Sequence, residues 1–167
     1  MLEIEIKAKL PSRQIENRLS ALGVRMLREE RQIDTYFKHP CYDFKARDEA
    51  FRVREVNGRL YLTYKGPRVD RDAKIREEIE IEIDGKIFSL LERLGFSPLK
   101  KVMKKRKIYQ WQKLKIFIDE VENLGEFLEI EAPTKEELFQ LVDWLNIPRS
   151  SLIQKSYLEL LIEKEKR

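Results

Sequence analysis

The 167-residue chain contains one cysteine, Cys41, and one histidine, His39. A lone thiol excludes an internal disulfide, and one thiol with one imidazole excludes the usual thiolate and imidazole zinc centres. Any metal must therefore be held by oxygen. No stretch approaches the roughly 20 apolar residues that a membrane-spanning helix needs. No apolar run behind basic residues marks a leader at the N-terminus, so a cytoplasmic location and no membrane partner are expected. The P-loop glycine pattern, the dinucleotide fingerprint and the nucleophile elbow are all missing. So are linkers, low-complexity tracts and fixed-period repeats, which leaves one domain over residues 1–167 as the expectation.

Charge is what the chain has in abundance. Charged residues make up 38% of it and apolar residues 42%, a globular composition, while 34 basic and 30 acidic side chains leave a net charge of only +4. The location of each sign therefore matters more than the sum. The small basic excess permits polyanionic partners such as nucleotides, polyphosphate or RNA without selecting one. Abundant Lys, Glu and Arg with only four Asn is a bias seen in hyperthermophile proteins.

Period-two alternation predicts strands near residues 2–9, 31–38, 50–56, 60–65, 75–83, 101–112, 114–120 and 126–132. Helical spacing predicts helices over 11–22 behind a Ser12 cap, over 86–94, over 134–145 with Thr134 and Glu137 as a capping box, and a short one over 156–163. Asn57-Gly58, Gln112-Lys113 and Asn123-Leu124-Gly125 read as hairpin turns. Segments 39–49 and 66–74 read as mobile polar loops at one end of the sheet.

Resolved into faces, the strands sort their charges by sign. Glu3, Glu5 and Lys7 share a face of the first strand, and Arg52 and Arg54 share one of FRVR. Arg76, Glu78, Glu80 and Glu82 line one face of REEIEIEI, Lys104 and Arg106 one of MKKRK, and Glu129 and Glu131 one of EFLEIE. A solvated sheet face gives alternation too, but of mixed polar composition. Rows of like charge repel unless something compensates them. An α+β fold in which eight antiparallel strands form a closed or nearly closed barrel, with surrounding helices covering the isoleucine rows, turns these charges into one lumen. Its cations suit phosphoryl oxygens and its carboxylates suit Mg²⁺ or Mn²⁺, so a metal–triphosphate chelate satisfies both.

These rows, in this order, resemble the CYTH family of class IV adenylate cyclases, thiamine triphosphatases and tripolyphosphatases, a triphosphate tunnel fold. The family's ExExK signature appears as Glu3-Ile4-Glu5-Ile6-Lys7, its paired arginines as Arg52 and Arg54, and its later basic positions as Lys65, Lys104 and Arg106. Its C-terminal acids appear as Asp119, Glu129 and Glu131, and QKSYLELL resembles its closing segment, with Lys155 at the basic position. The resemblance implies that Glu3, Glu5, Asp119, Glu129 and Glu131 bind the metal. It implies that Lys7, Arg52, Arg54, Lys65, Lys104, Arg106 and Lys155 bind triphosphate, and that Glu3, Glu5, Lys7, Glu129 and Glu131 form the catalytic set. QIDTYFKHPCYDF is similar to the class IV cyclase branch, whereas the His-Phe pair found ahead of ExExK in some cyclases is not in this sequence. ATP cyclisation and hydrolysis of thiamine triphosphate or tripolyphosphate are thus both open, with a non-catalytic polyphosphate or RNA binder as a further alternative. The chain is expected to be a monomer or homodimer.

Other residues read more plainly. His39 is expected on the surface and Cys41 as an inert loop thiol. Tyr109, Trp111 and Trp144 are expected to cover the outside of the barrel, and Tyr36 and Phe37 to pack in the core. The basic run 100–107 is split by alternation, with Lys104 and Arg106 on one face and Lys105 and Lys107 on the other.

Overall fold

The structure, a computed structural model, describes residues 2–166. Eight strands close into one antiparallel barrel: β1 (Leu2–Lys9), β2 (Met26–Lys38), β3 (Ala50–Val56), β4 (Arg59–Lys65), β5 (Lys74–Ile83), β6 (Ser97–Trp111), β7 (Leu114–Val121) and β8 (Gly125–Glu131). Their order around the barrel is β1-β5-β4-β3-β2-β6-β7-β8. The β3–β4 turn places Asn57 and Gly58 at φ 51° and 75°, the left-handed pair that a two-residue hairpin requires.

The outward apolar rows of β1, β7 and β8 form the main core. Ile6, Ile116, Ile118, Leu128 and Ile130 pack against Ile15 and Leu19 of α1 (Ser12–Ala21) and against Leu138, Leu141 and Val142 of α3 (Lys135–Trp144). The Thr134 side chain caps α3 by accepting the Glu137 N–H. At α1 the expected Ser12 cap is corrected. Pro11 takes the cap position with no side-chain bond, and Ser12, the first helical residue, donates its N–H to Glu126 Oε2 at 2.9 Å. Proline fits there because its missing N–H would have no intrahelical partner. A second core under α2 (Ile87–Arg93) gathers Phe37, Val53 and Leu91.

A third cluster stoppers one end of the barrel. Tyr36, Val102, Val121 and Phe127 meet Tyr157 and Leu161 of α4 (Tyr157–Glu165). A full Ser156–Glu159 capping box starts that helix. Arg68 ties it down, with its guanidinium 2.5 Å from Asp48, 3.2 Å from Glu159 and 3.1 Å from the Gln154 carbonyl oxygen. The two segments read as mobile loops are thereby anchored to the stopper. The mouth of the barrel is at the other end, around exposed Arg59, Gln110, Lys113 and Lys115.

Three further expectations need correction. Strands β2 and β6 begin at Met26 and Ser97, several residues before the alternation starts, because their pairing with each other continues through register shifts between Met26 and Arg28 and between Tyr36 and Phe37. The helices leave the outer row of β5 uncovered, with Ile79 51% and Ile81 53% exposed. Trp144 is 56% exposed and meets Trp111 edge to face at 4.9 Å. No helix among the described residues is long and apolar enough to cross a membrane.

Candidate active site

The polar rows face inward and line one cavity of about 1440 Å³. Strand alternation puts every second residue of each wall on the lumen, so antiparallel register decides which charges meet. Glu5 stands opposite Glu131 on one side and Lys74 on the other, Glu3 stands opposite Arg76, and Lys7 stands opposite Glu129. Except where Glu5 meets Glu131, the segregation by sign along the sequence becomes juxtaposition of opposite signs across these strands.

Toward the mouth, carboxylate oxygens of Glu3, Glu5 and Glu131 all lie within 4.8 Å of one another. Burial, then repulsion from Glu3, pushes the Glu131 carboxyl up to about 7. Each has an ammonium beside it, Lys65 at Glu3, Lys74 at Glu5 and Lys115 3.3 Å from Glu131, yet three carboxylates held this close still repel one another. Their all-oxygen donor set fits a hard divalent cation such as Mg²⁺ or Mn²⁺. Lys65 bonds Glu3 at 2.7 Å and Glu78 at 2.6 Å, and Lys74 bonds Glu5 at 2.5 Å.

Deeper, the wall becomes cationic around two buried aspartates. Asp34 accepts from Arg52 at 3.0 Å and takes a two-bond fork from Arg54 at 2.7 and 2.8 Å. Burial alone would raise the Asp34 carboxyl, but the two guanidinium groups override it and hold it far below the usual carboxylate range. Asp119, on β7 two strands further round the barrel, does the same, bonding Arg106 at 2.7 and 2.6 Å, Lys104 at 3.1 Å and the Tyr157 hydroxyl at 2.9 Å. Arg106 also reaches Glu129 at 2.8 Å, and Lys7 lies 3.4 Å from Glu129 and over the Tyr157 ring. Among the described residues the buried Arg52 and Arg76 Nε groups find no hydrogen-bond partner, although Arg76 Nε lies 3.9 Å from Glu3, so each is a donor suited to an anionic acceptor.

Of the five acids implied as metal ligands, then, three gather at one point. Glu129 lines the lumen among cations, and Asp119 is fully buried behind Arg106 and Lys104. Six of the seven implied phosphate binders, Lys7, Arg52, Arg54, Lys65, Lys104 and Arg106, line the cavity. Lys155 does not: its ammonium pairs with Glu163 in solvent, while its carbonyl oxygen accepts from Lys7 at 3.4 Å. Sequence reasoning missed Lys74, set down as the end of a loop although it is 5% exposed on the lumen wall. It also left Asp34 and Tyr157 without roles, and gave Arg76 none beyond its row.

Two lumen ammonium groups are strained by their surroundings. Burial pushes Lys74 down to about 7, only partly offset by Glu5, and burial with Arg106 alongside pushes Lys104 down to about 8. The sign of the pH dependence follows. As pH rises from about 4.5 to 7 the folded state keeps the Glu131 proton that the unfolded chain releases, so stability falls. From about 7 to 10.5 the unfolded chain keeps protons that Lys74 and Lys104 have released in the fold, so stability rises. With EDTA present, Tm should pass through a minimum near neutral pH, with a Glu131 contribution on the order of 3 kcal/mol. Added Mg²⁺ should raise Tm most at and above that minimum. A Tm maximum at pH 7 in EDTA would contradict this electrostatic picture.

The CYTH domain family model matches residues 1–157. The curated "Putative adenylate cyclase MJ0240" of Methanocaldococcus jannaschii is 37% identical over 172 residues, spanning 96% of this chain and 98% of that protein. The solved PH1819 protein of Pyrococcus horikoshii OT3 superposes with a TM-score of 0.83 at 40% identity, over 97% of this chain and 99% of that one. A Hippeastrum structure, "Putative adenylyl cyclase HpAC1", shares the fold at TM-score 0.70 and 23% identity, over 99% and 96% of the two chains. Family match, closed barrel and sign-paired lumen agree: the chain belongs to the CYTH domain family.

Proposed function

We propose that this protein is a divalent-metal-dependent enzyme acting on an organic triphosphate inside the barrel, most nearly a class IV type adenylate cyclase that converts ATP to cyclic AMP and pyrophosphate. The observation that carries this reading is the meeting, in one lumen, of the Glu3/Glu5/Glu131 carboxylates with a wall of buried cations. The name of the Methanocaldococcus jannaschii relative, "Putative adenylate cyclase MJ0240", supports the cyclase form.

In that reaction the ribose 3′-hydroxyl oxygen bonds to the α-phosphorus, the bond from that phosphorus to the bridging oxygen breaks, and pyrophosphate leaves as the hydroxyl proton is released. Lys7, Lys104, Arg106 and the Arg52/Arg54 pair bind non-bridging oxygens and stabilise the charge that builds on them. The two aspartates behind them fix the guanidinium planes before substrate arrives, so little reorganisation is needed at the moment of reaction. The α4 stopper closes the deep end, so substrate enters and product leaves by the mouth. Glu3, Glu5 and Glu131 would hold Mg²⁺ or Mn²⁺, which supplies Lewis-acid polarisation of a phosphoryl oxygen.

Hydrolysis at the terminal phosphorus would use the same wall. The Hippeastrum fold neighbour, whose published description speaks of a dominant triphosphatase activity, makes product identity the deciding test. Incubation with ATP, thiamine triphosphate or tripolyphosphate and Mg²⁺ should give cyclic AMP and pyrophosphate from ATP. Orthophosphate instead would assign the hydrolase, and no product with any of the three would contradict an enzyme. The basic-binder alternative fits less well, because carboxylates on the lumen wall repel a metal-free polyanion.

A further inference from the structure

At the deep end of the lumen, Arg106, Lys7 and Lys104 share two carboxylates, Asp119 and Glu129, and among the described residues no other acid pairs with these three cations. One buried positive charge is therefore in excess, which is costly unless something else attracts it. Arg106 takes the short contacts, at 2.6 Å to Asp119 and 2.8 Å to Glu129, and leaves Lys104 3.1 Å from Asp119 and Lys7 3.4 Å from Glu129. Lysines elsewhere in the lumen sit closer to their glutamates, Lys65 at 2.7 Å and Lys74 at 2.5 Å. What the two loosely paired ammonium groups have instead is the ring of Tyr157, whose centroid lies 4.2 Å from Lys7 Nζ and 5.0 Å from Lys104 Nζ. A ring face attracts a cation without cancelling its charge. The ring is well fixed: its hydroxyl donates to Asp119 at 2.9 Å, Phe127 meets it edge to face with centroids 5.1 Å apart, and the Ser156–Glu159 capping box starts α4 beside it. The same segment gives Lys7 a second neutral partner, the Lys155 carbonyl oxygen.

We infer that Tyr157 is a positioning residue for phosphate binding: its ring face holds the Lys7 and Lys104 ammonium groups back from their carboxylates, so that each keeps its charge for a phosphoryl oxygen. The inference rests on the triphosphate reading and deepens it. Tyr157 lines the cavity and is 6% exposed, so it stands at the floor on which the phosphates would rest. Without the ring each ammonium closes on its carboxylate, and a phosphate must break that pair before it binds. The helix that stoppers the barrel thereby also sets the affinity of the site, through a residue that takes no part in the chemistry.

Calorimetric titration with tripolyphosphate and with ATP, in EDTA so that nothing turns over, tests this on wild type, Tyr157→Phe and Tyr157→Leu. Tyr157→Phe keeps the ring and loses only the hydroxyl bond, so it should bind both ligands within about threefold of wild type. Tyr157→Leu keeps apolar bulk and loses the ring face, so it should bind both about tenfold more weakly, from the usual worth of buried cation–π contacts. Equal losses in the two variants would assign the effect to the hydroxyl bond and overturn the inference, as would wild-type affinity in Tyr157→Leu. A wild type that binds neither ligand overturns the triphosphate reading itself, and this role with it. Should Tyr157→Leu fail to fold, phenylalanine analogues of rising fluorination at position 157 decide, because fluorine drains the ring face of negative charge and nearly keeps its shape. Affinity should fall at each step of fluorination; a flat series overturns the inference.

Discussion

Replacing Glu3 and Glu5 together by glutamine should lower turnover of the triphosphate substrate by about 10³-fold, or roughly 4 kcal/mol of transition-state stabilisation, while the barrel stays folded. The asymmetry between activity and stability follows from the partners. Glu3 shares Lys65 with Glu78, which lies 2.6 Å from the same ammonium, so Lys65 keeps a counter-ion when Glu3 becomes neutral. Lys74, 2.5 Å from Glu5, already sits near 7 through burial, so it sheds its proton and meets the new amide as a neutral amine. Apart from Arg76, whose Nε lies 3.9 Å from Glu3, neither change takes the counter-ion from a buried charge, yet the divalent-cation donor set falls from three carboxylates to one. Turnover within about twofold of wild type, measured alongside an unchanged circular dichroism melt, would refute the metal assignment.

Asp34→Ala should have the opposite profile, with a large loss of stability that ligand restores. This carboxylate is the counter-ion of both Arg52 and Arg54. Its removal strands two guanidinium groups in a buried wall, an effect of about 3–5 kcal/mol for breaking one buried pair. At this chain length that corresponds to a Tm drop of roughly 10 °C. Tripolyphosphate oxygens can take the place of the missing carboxylate, so saturating ligand should stabilise the variant by more than it stabilises wild type. Differential scanning fluorimetry with and without tripolyphosphate reads both quantities. An equal ligand-induced shift in the two proteins would show that the arginine pair does not meet phosphate.

Much of this architecture is legible in the sequence because alternation has one period and two faces. Once Ile4 and Ile6 are outside, Glu3, Glu5 and Lys7 must be inside, and the same step applied to seven more strands yields the lumen. Sequence alone does not show register, which sets Glu5 opposite Glu131 and leaves Glu129 among cations. It does not show the length of β2, whose first residues, Met26 to Glu29, are exposed and carry no apolar alternation, so only backbone pairing defines them. Lys74 was hidden because a strand's first residue carries no periodic signal of its own. Asp34 was hidden because a single acid in QIDTYF resembles any polar position until the arginines of the neighbouring strand close on it. The stopper was hidden because closing a barrel end with Tyr157 and Leu161 needs the helix to lie across the strands, a tertiary fact.

A crystal grown with Mn²⁺ and a non-reactive ATP analogue tests the central claim most directly. The account predicts anomalous density between Glu3, Glu5 and Glu131 and phosphate density against Arg106, Lys104 and the Arg52/Arg54 pair, all inside the barrel. Manganese or the analogue found only on the outer surface would contradict it.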